Sequence, residues 1–97
     1  MNAGHALAVT AVFVFAVTAG HAAEAPAGAS SCTGCHAAAS DSKAMRSLAG
    51  QPQGDIVEKM TAFKSGRLSA TIMDRIAKGF SDDEIRAIAA WYAAQKP

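Results

Sequence analysis

The sequence of 97 residues predicts an all-α domain of three to four helices. Apolar residues recur at helical spacing twice, as Ile56, Met60 and Phe63 and again as Ile85, Ile88, Ala89 and Tyr92. No stretch alternates polar and apolar residues for long enough to make a strand. The punctuation agrees: Ser81 with Glu84 three residues on has capping-box spacing, and Gly66 is placed to close the helix before it. No internal repeat interrupts this pattern.

Residues 1–23 read as a cleaved export signal. Residues 6–19 form an uncharged apolar run, shorter than the roughly 20 residues of a bilayer-spanning helix. The small-residue stretch Gly20-His21-Ala22-Ala23 follows, with cleavage expected after Ala22 or Ala23. The segment before the apolar run has no Lys or Arg, which leaves an uncleaved membrane anchor as the second reading. Residues 24–30 have the Ala, Gly, Ser and Pro composition of a flexible N-terminal arm, and a first short helix is expected to begin near Ser30 or Ser31. The middle helix is expected to start around Asp55, with Glu58 at capping-box spacing, and to end at Gly66. Residues 67–80 are the least regular part, with two apolar clusters and a break at Gly79. The last helix opens at Ser81, with Asp82 and Asp83 where the helix dipole favours negative charge.

About 74 residues follow the signal segment, a size at which a side-chain core alone supplies only ~3 to 5 kcal/mol. A bound group is therefore expected as an additional staple, because a disulfide between Cys32 and Cys35 would close a trivially small loop. Nine Lys and Arg and eight Asp and Glu, scattered without runs of one sign, argue against nucleic acid as a partner.

Cys32-Thr33-Gly34-Cys35-His36 is the C-x-x-C-H pattern of covalent c-type haem attachment. Two thiols one helical turn apart can each add to one vinyl group of a haem lying along that turn, and the next residue places an imidazole nitrogen under the iron. Attachment of this kind happens outside the cytoplasm, in agreement with an export signal. Zinc is short of a ligand, since only Cys32, Cys35 and His36 remain of the Cys and His residues once His5 and His21 leave with the signal. A thioredoxin-like pair needs a strand-helix-strand context that this sequence lacks. Two haem carboxylates would move the formal charge from +1 to about −1, too little for strong long-range steering.

A second axial ligand is expected from Met73, which lies 37 residues after His36 in the irregular segment, beside Asp74 and Arg75 that can stay wet while the sulfur turns inward. Met45 follows His36 by only nine residues, barely enough at ~3.4 Å each to clear the macrocycle edge. Met60 lies on the apolar stripe of the middle helix, where core packing explains it. Both stay as alternatives.

The run Ile72-Met73-Asp74-Arg75-Ile76-Ala77-Lys78-Gly79-Phe80-Ser81, preceded by Phe63-Lys64-Ser65-Gly66 and followed by Ile88-Ala89-Ala90-Trp91-Tyr92, closely resembles the haem subunit of flavocytochrome c sulfide dehydrogenase. The wider class I c-type cytochromes are similar, less closely. The resemblance runs from about Ser30 to Gln95. It implies a class I cytochrome c fold over residues 31–97 around one covalently bound haem. It further implies thioethers at Cys32 and Cys35, proximal His36, distal Met73, and a C-terminal helix crossing the N-terminal one near Trp91 and Tyr92. Packing explains both of these rings. The family usually has a glycine after the motif histidine and a proline soon afterwards whose carbonyl accepts the imidazole N–H. Here Ala37 follows His36 and the next proline is Pro52, so a carbonyl between Ser42 and Gly50 is expected to orient the ring instead.

The function expected is electron transfer in the periplasm, with no catalytic residues of the chain's own. The resemblance implies a flavoprotein subunit as donor, carrying FAD and oxidising sulfide, and a separate downstream acceptor. The alternative is a free soluble carrier with no flavin partner. Either way, no stable membrane insertion is expected once the signal is cleaved. A peroxidase or gas sensor would need an open iron face, and hence Met73 not to be a ligand.

Overall fold

The computed structural model describes residues 1, 4, 10–14, 24–37 and 45–97. Most of the expected signal segment, including His5, His21 and the Ala22 and Ala23 cleavage sites, lies outside the described residues, as does Ser42. The described residues form four helices and no strand: α1 (Ala29–Thr33), α2 (Gln53–Ser65), α3 (Met73–Lys78) and α4 (Asp82–Ala93). None of them is long and apolar enough to cross a membrane.

Helix α4 starts where its sequence says it should. The Ser81 hydroxyl accepts from the Glu84 N–H, and the Glu84 carboxylate accepts from the Ser81 N–H, so two of the orphan donors at the helix start are satisfied reciprocally. Helix α2 differs. It begins two residues before Asp55, with Pro52 at the cap position and no side-chain cap, so Asp55 and Glu58 form no capping box. Proline is suited to that boundary because its fixed φ and missing N–H cost nothing there. Asp55 instead places its charge in the first turn, where the dipole favours it. At the far end Gly66 takes φ 78°, as expected of a glycine that closes a helix.

Helix α1 starts at Ala29, inside the segment expected to be an arm. Gly28 makes this start possible. It sits at φ 86°, and a Cβ there would come within 2.5 Å of the Phe80 ring. The turn therefore needs both the left-handed backbone and the missing side chain.

The segment 67–80, expected to be irregular, contains helix α3. Six residues are too few to show a helical period, and the cap position is Ile72, which offers no side-chain acceptor; α3 is held by packing onto α2. Ala77 is fully buried there.

Ala29, Ile56, Ile88, Ala89 and Tyr92 form the central buried cluster, with Leu48, Met60, Phe80 and Trp91 packed against it. Ala29 and Ala89 have no exposed surface. The Tyr92 hydroxyl of α4 donates to the carbonyl of Ala29 in α1.

Candidate haem cavity

The chain folds around a cavity of about 660 Å³, in the range of small-molecule sites. Cys32, Cys35 and His36 line one part of it, from the end of α1 and the turn that follows. Two main-chain bonds into the Cys32 carbonyl, from Cys35 at 3.2 Å and His36 at 2.8 Å, keep that turn helical, so the motif side chains stay grouped. The walls are apolar: Ile56, Phe63, Ile76, Phe80, Ile85 and Ile88 all face in.

His36 is held by its Nδ1, which lies 2.7 Å from the main-chain oxygen of Arg46. A carbonyl can only accept, so Nδ1 carries the proton and Nε2 keeps its lone pair. That is the tautomer a metal ligand needs, oriented by the outer hydrogen bond usual for ligating histidines. The carbonyl expected between residues 42 and 50 is thus that of Arg46.

All three methionines of the expected domain line the same cavity. Met73 opens α3 and is half-buried; Met45 is 46% exposed. Met60 does pack against the core as expected, and it also faces the cavity, a second role that its place on the helical stripe did not reveal.

No family model matches the chain. Two characterised proteins are similar to it. Cytochrome c-553 of Nitratidesulfovibrio vulgaris (strain Miyazaki F) is 29% identical over 89 residues, which cover 86% of this chain and 87% of that protein. The cytochrome subunit of sulfide dehydrogenase of Chlorobaculum tepidum is 35% identical over 63 residues, covering 64% of this chain and 57% of that protein. Both relatives are cytochromes, and the C-x-x-C-H motif of this chain opens onto the apolar cavity. The chain is similar to c-type cytochromes.

The residues present fit the haem that such a cytochrome carries. Two thiols and an imidazole with a free Nε2 share one cavity with three thioethers, a soft donor set suited to iron, and the walls between them are apolar. Cys32 is half-buried, and that burial pushes its thiol up, against weaker opposing hydrogen bonds from Ser31 and Tyr92. Cys35 is exposed.

Around Met73 the chain differs from expectation in one respect. Arg75 is exposed, but Asp74 is half-buried, and its Oδ1 is enclosed without a hydrogen-bond partner among the described residues.

Behind the motif, Tyr92 ties α4 to α1. Its hydroxyl donates to the Ala29 carbonyl and, its one proton being used, accepts from the Thr33 hydroxyl at 2.9 Å. Burial pushes the Tyr92 phenol up, with the Thr33 hydrogen bond opposing. Trp91 meets the Tyr92 ring edge-on, with centroids 4.9 Å apart and planes at 83°. Both rings pack in and against the core, and the Tyr92 hydroxyl reaches Ala29 of α1.

Proposed function

We propose that this chain is the exported, single-haem electron-transfer subunit of a sulfide dehydrogenase. Residues 1–23 are its cleaved signal and 24–28 its arm, and the cytochrome domain, working in the periplasm, begins with α1 at Ala29, two residues before the expected boundary. Cys32 and Cys35 hold one haem through thioethers, His36 is the proximal ligand and Met73 the distal one. The observation that carries this reading is the placement of Cys32, Cys35, His36 and Met73 on one apolar cavity, with His36 Nδ1 committed to the Arg46 carbonyl.

The bound group supplies an iron that cycles between ferric and ferrous states. The chain's residues set the conditions for that cycle. His36 presents Nε2, because Nδ1 is held by Arg46. The Met73 thioether would be the second protein ligand of the iron, which would leave no place for a substrate and favour a high potential. Ile56, Ile85 and Ile88 line the cavity and would keep water from the iron, so that little solvent would reorganise when the charge changes. The chain thus performs no bond chemistry of its own. It takes single electrons from a flavoprotein subunit and passes them to a downstream acceptor.

A free carrier is the second reading, and one observation favours it: the alignment with cytochrome c-553 spans 87% of that protein, while the alignment with the sulfide dehydrogenase subunit spans 57%. Purification of the tagged, haem-loaded protein from its native periplasm separates the two. Flavin in fixed ratio to haem, on a second chain that reduces the haem when sulfide is added, supports the subunit. Haem protein without flavin makes it a free carrier and removes sulfide from its function.

A further inference from the structure

We propose that Arg46 and Lys59 hold the two carboxylates of the haem, and that Arg46 couples this grip to the proximal ligand because its own main-chain oxygen orients His36. The inference rests on the haem reading above.

Arg46 and Lys59 are the two formal charges among the described residues that line the cavity. Neither has an ion pair among the described residues, whereas Lys64 is paired with Asp82 and Arg86 with Asp83 elsewhere on the surface. The Ser69 and Thr71 hydroxyls on the lining carry no charge, and two other polar side chains there are already used. The Ser31 hydroxyl donates to the Gly28 carbonyl at 2.6 Å, and the Gln51 amide donates to the Ser47 carbonyl at 2.5 Å. A haem brings two carboxylates into this otherwise apolar site, and a carboxylate near apolar walls is costly without a counter-charge. Arg46 and Lys59 are both exposed residues, so they meet the carboxylates at the solvent edge. Arg46 offers a planar fork that can take one carboxylate through two hydrogen bonds; Lys59, from α2, offers a point charge.

Arg46 is the unusual member of the pair. It lines the cavity, and its carbonyl accepts from His36 Nδ1 at 2.7 Å. A carboxylate that draws on the Arg46 backbone as well as its guanidinium would shift the acceptor that orients the imidazole, and that hydrogen bond tunes the basicity of the ligand. Lys59 has no such link, so the two cations are equivalent towards charge and different towards the ligand.

The test uses the haem-loaded protein with Arg46→Gln, Lys59→Gln, Arg46→Lys and, as a surface control, Lys78→Gln. Midpoint potentials are measured at low salt and at 1 M salt, where the screening length is about 3 Å. The low-spin EPR signal of the oxidised protein reports the axial ligands. Both cavity Gln variants are expected to lower the potential at both salt concentrations, because an uncompensated carboxylate favours the ferric state. Lys78→Gln should leave no shift at 1 M salt. Arg46→Gln alone should also move the EPR g values, and Arg46→Lys should recover most of the potential.

Shifts that vanish in salt, as for Lys78→Gln, would overturn the carboxylate assignment. Identical EPR spectra for Arg46→Gln and Lys59→Gln would overturn the coupling. Should Arg46→Gln fail to load haem, Arg46→Lys and Lys59→Gln still read both quantities. Acid extraction keeps the two readings apart: haem that leaves the chain refutes covalent attachment, whereas retained haem with unmoved potentials refutes only this inference.

Discussion

The hydroxyls of Thr33 and Tyr92 lie 2.9 Å apart although 59 residues separate them in sequence. Thr33 stands between the two motif cysteines, and Tyr92 is on the last helix, so this contact and the one from Tyr92 to Ala29 fasten the haem-attachment turn to the C-terminal end of the fold. Replacing Tyr92 with Phe keeps the ring and strands both partners. It should cost about 1–3 kcal/mol in denaturant unfolding of the loaded protein. A change below the scatter of the measurement would show that the hydroxyl contributes nothing net.

The same residue makes a pH prediction. Tyr92 has a folded-state pKa raised above the usual 10.0, so above about pH 10 the unfolded chain releases this proton while the folded chain keeps it. Stability from this group is then whole below pH 10 and falls as the pH rises towards the folded value. The decline should be weaker in Tyr92→Phe. Equal alkaline profiles for the two proteins would remove Tyr92 as its source.

Ligation separates the methionines. Met73→Ala should abolish the weak sulfur-to-iron band in the near infrared of the oxidised protein, and survival of that band would move the ligand to Met60 or Met45. Met60→Ala should keep the band and lose about 2–5 kcal/mol, the range for truncating a buried side chain, with its partial exposure placing it towards the lower end. Unchanged stability would contradict its place against the core.

Two glycines with positive φ should respond unequally to alanine. At Gly66, with φ 78°, an added Cβ would meet no atom within 4 Å, so Gly66→Ala carries backbone strain alone, of order 1 kcal/mol. Gly28→Ala adds the approach to Phe80 at 2.5 Å and should cost clearly more in the same unfolding experiment. Equal losses would mean that the Phe80 ring yields freely.

Before haem is attached, the motif thiols should differ in reactivity. Cys32 is half-buried with its thiol pushed up by desolvation, and Cys35 is exposed. At pH 8 iodoacetamide should therefore label Cys35 of the unloaded chain several-fold faster than Cys32, because the thiolate is the reacting form. Mass spectrometry of the labelled peptides reads the ratio, and equal rates would contradict the buried position of Cys32.

Much of the architecture was legible along the chain because the signals are local. The Ser81 and Glu84 capping box, the Gly66 stop and the period of Ile85, Ile88 and Tyr92 each depend on neighbours within one or two turns, and all three stand in the structure. The start of α2 was misplaced because Asp55 and Glu58 have capping spacing that Pro52 pre-empts. Helix α3 was missed because six residues carry too little periodicity, and the buried start of α1 because Ala29 looks like its arm neighbours until Ala89 packs near it.

The C-x-x-C-H pattern, the helical class and the need for a carbonyl to replace the absent proline follow from residue order alone, since each is a matter of spacing and valence. Folding selects Arg46 as that carbonyl, brings Met45, Met60 and Met73 to one cavity, encloses Asp74 and joins Thr33 to Tyr92. These are contacts between segments far apart in the chain. They arise when apolar faces of separate helices are buried together, and no local pattern encodes which partners that burial will align.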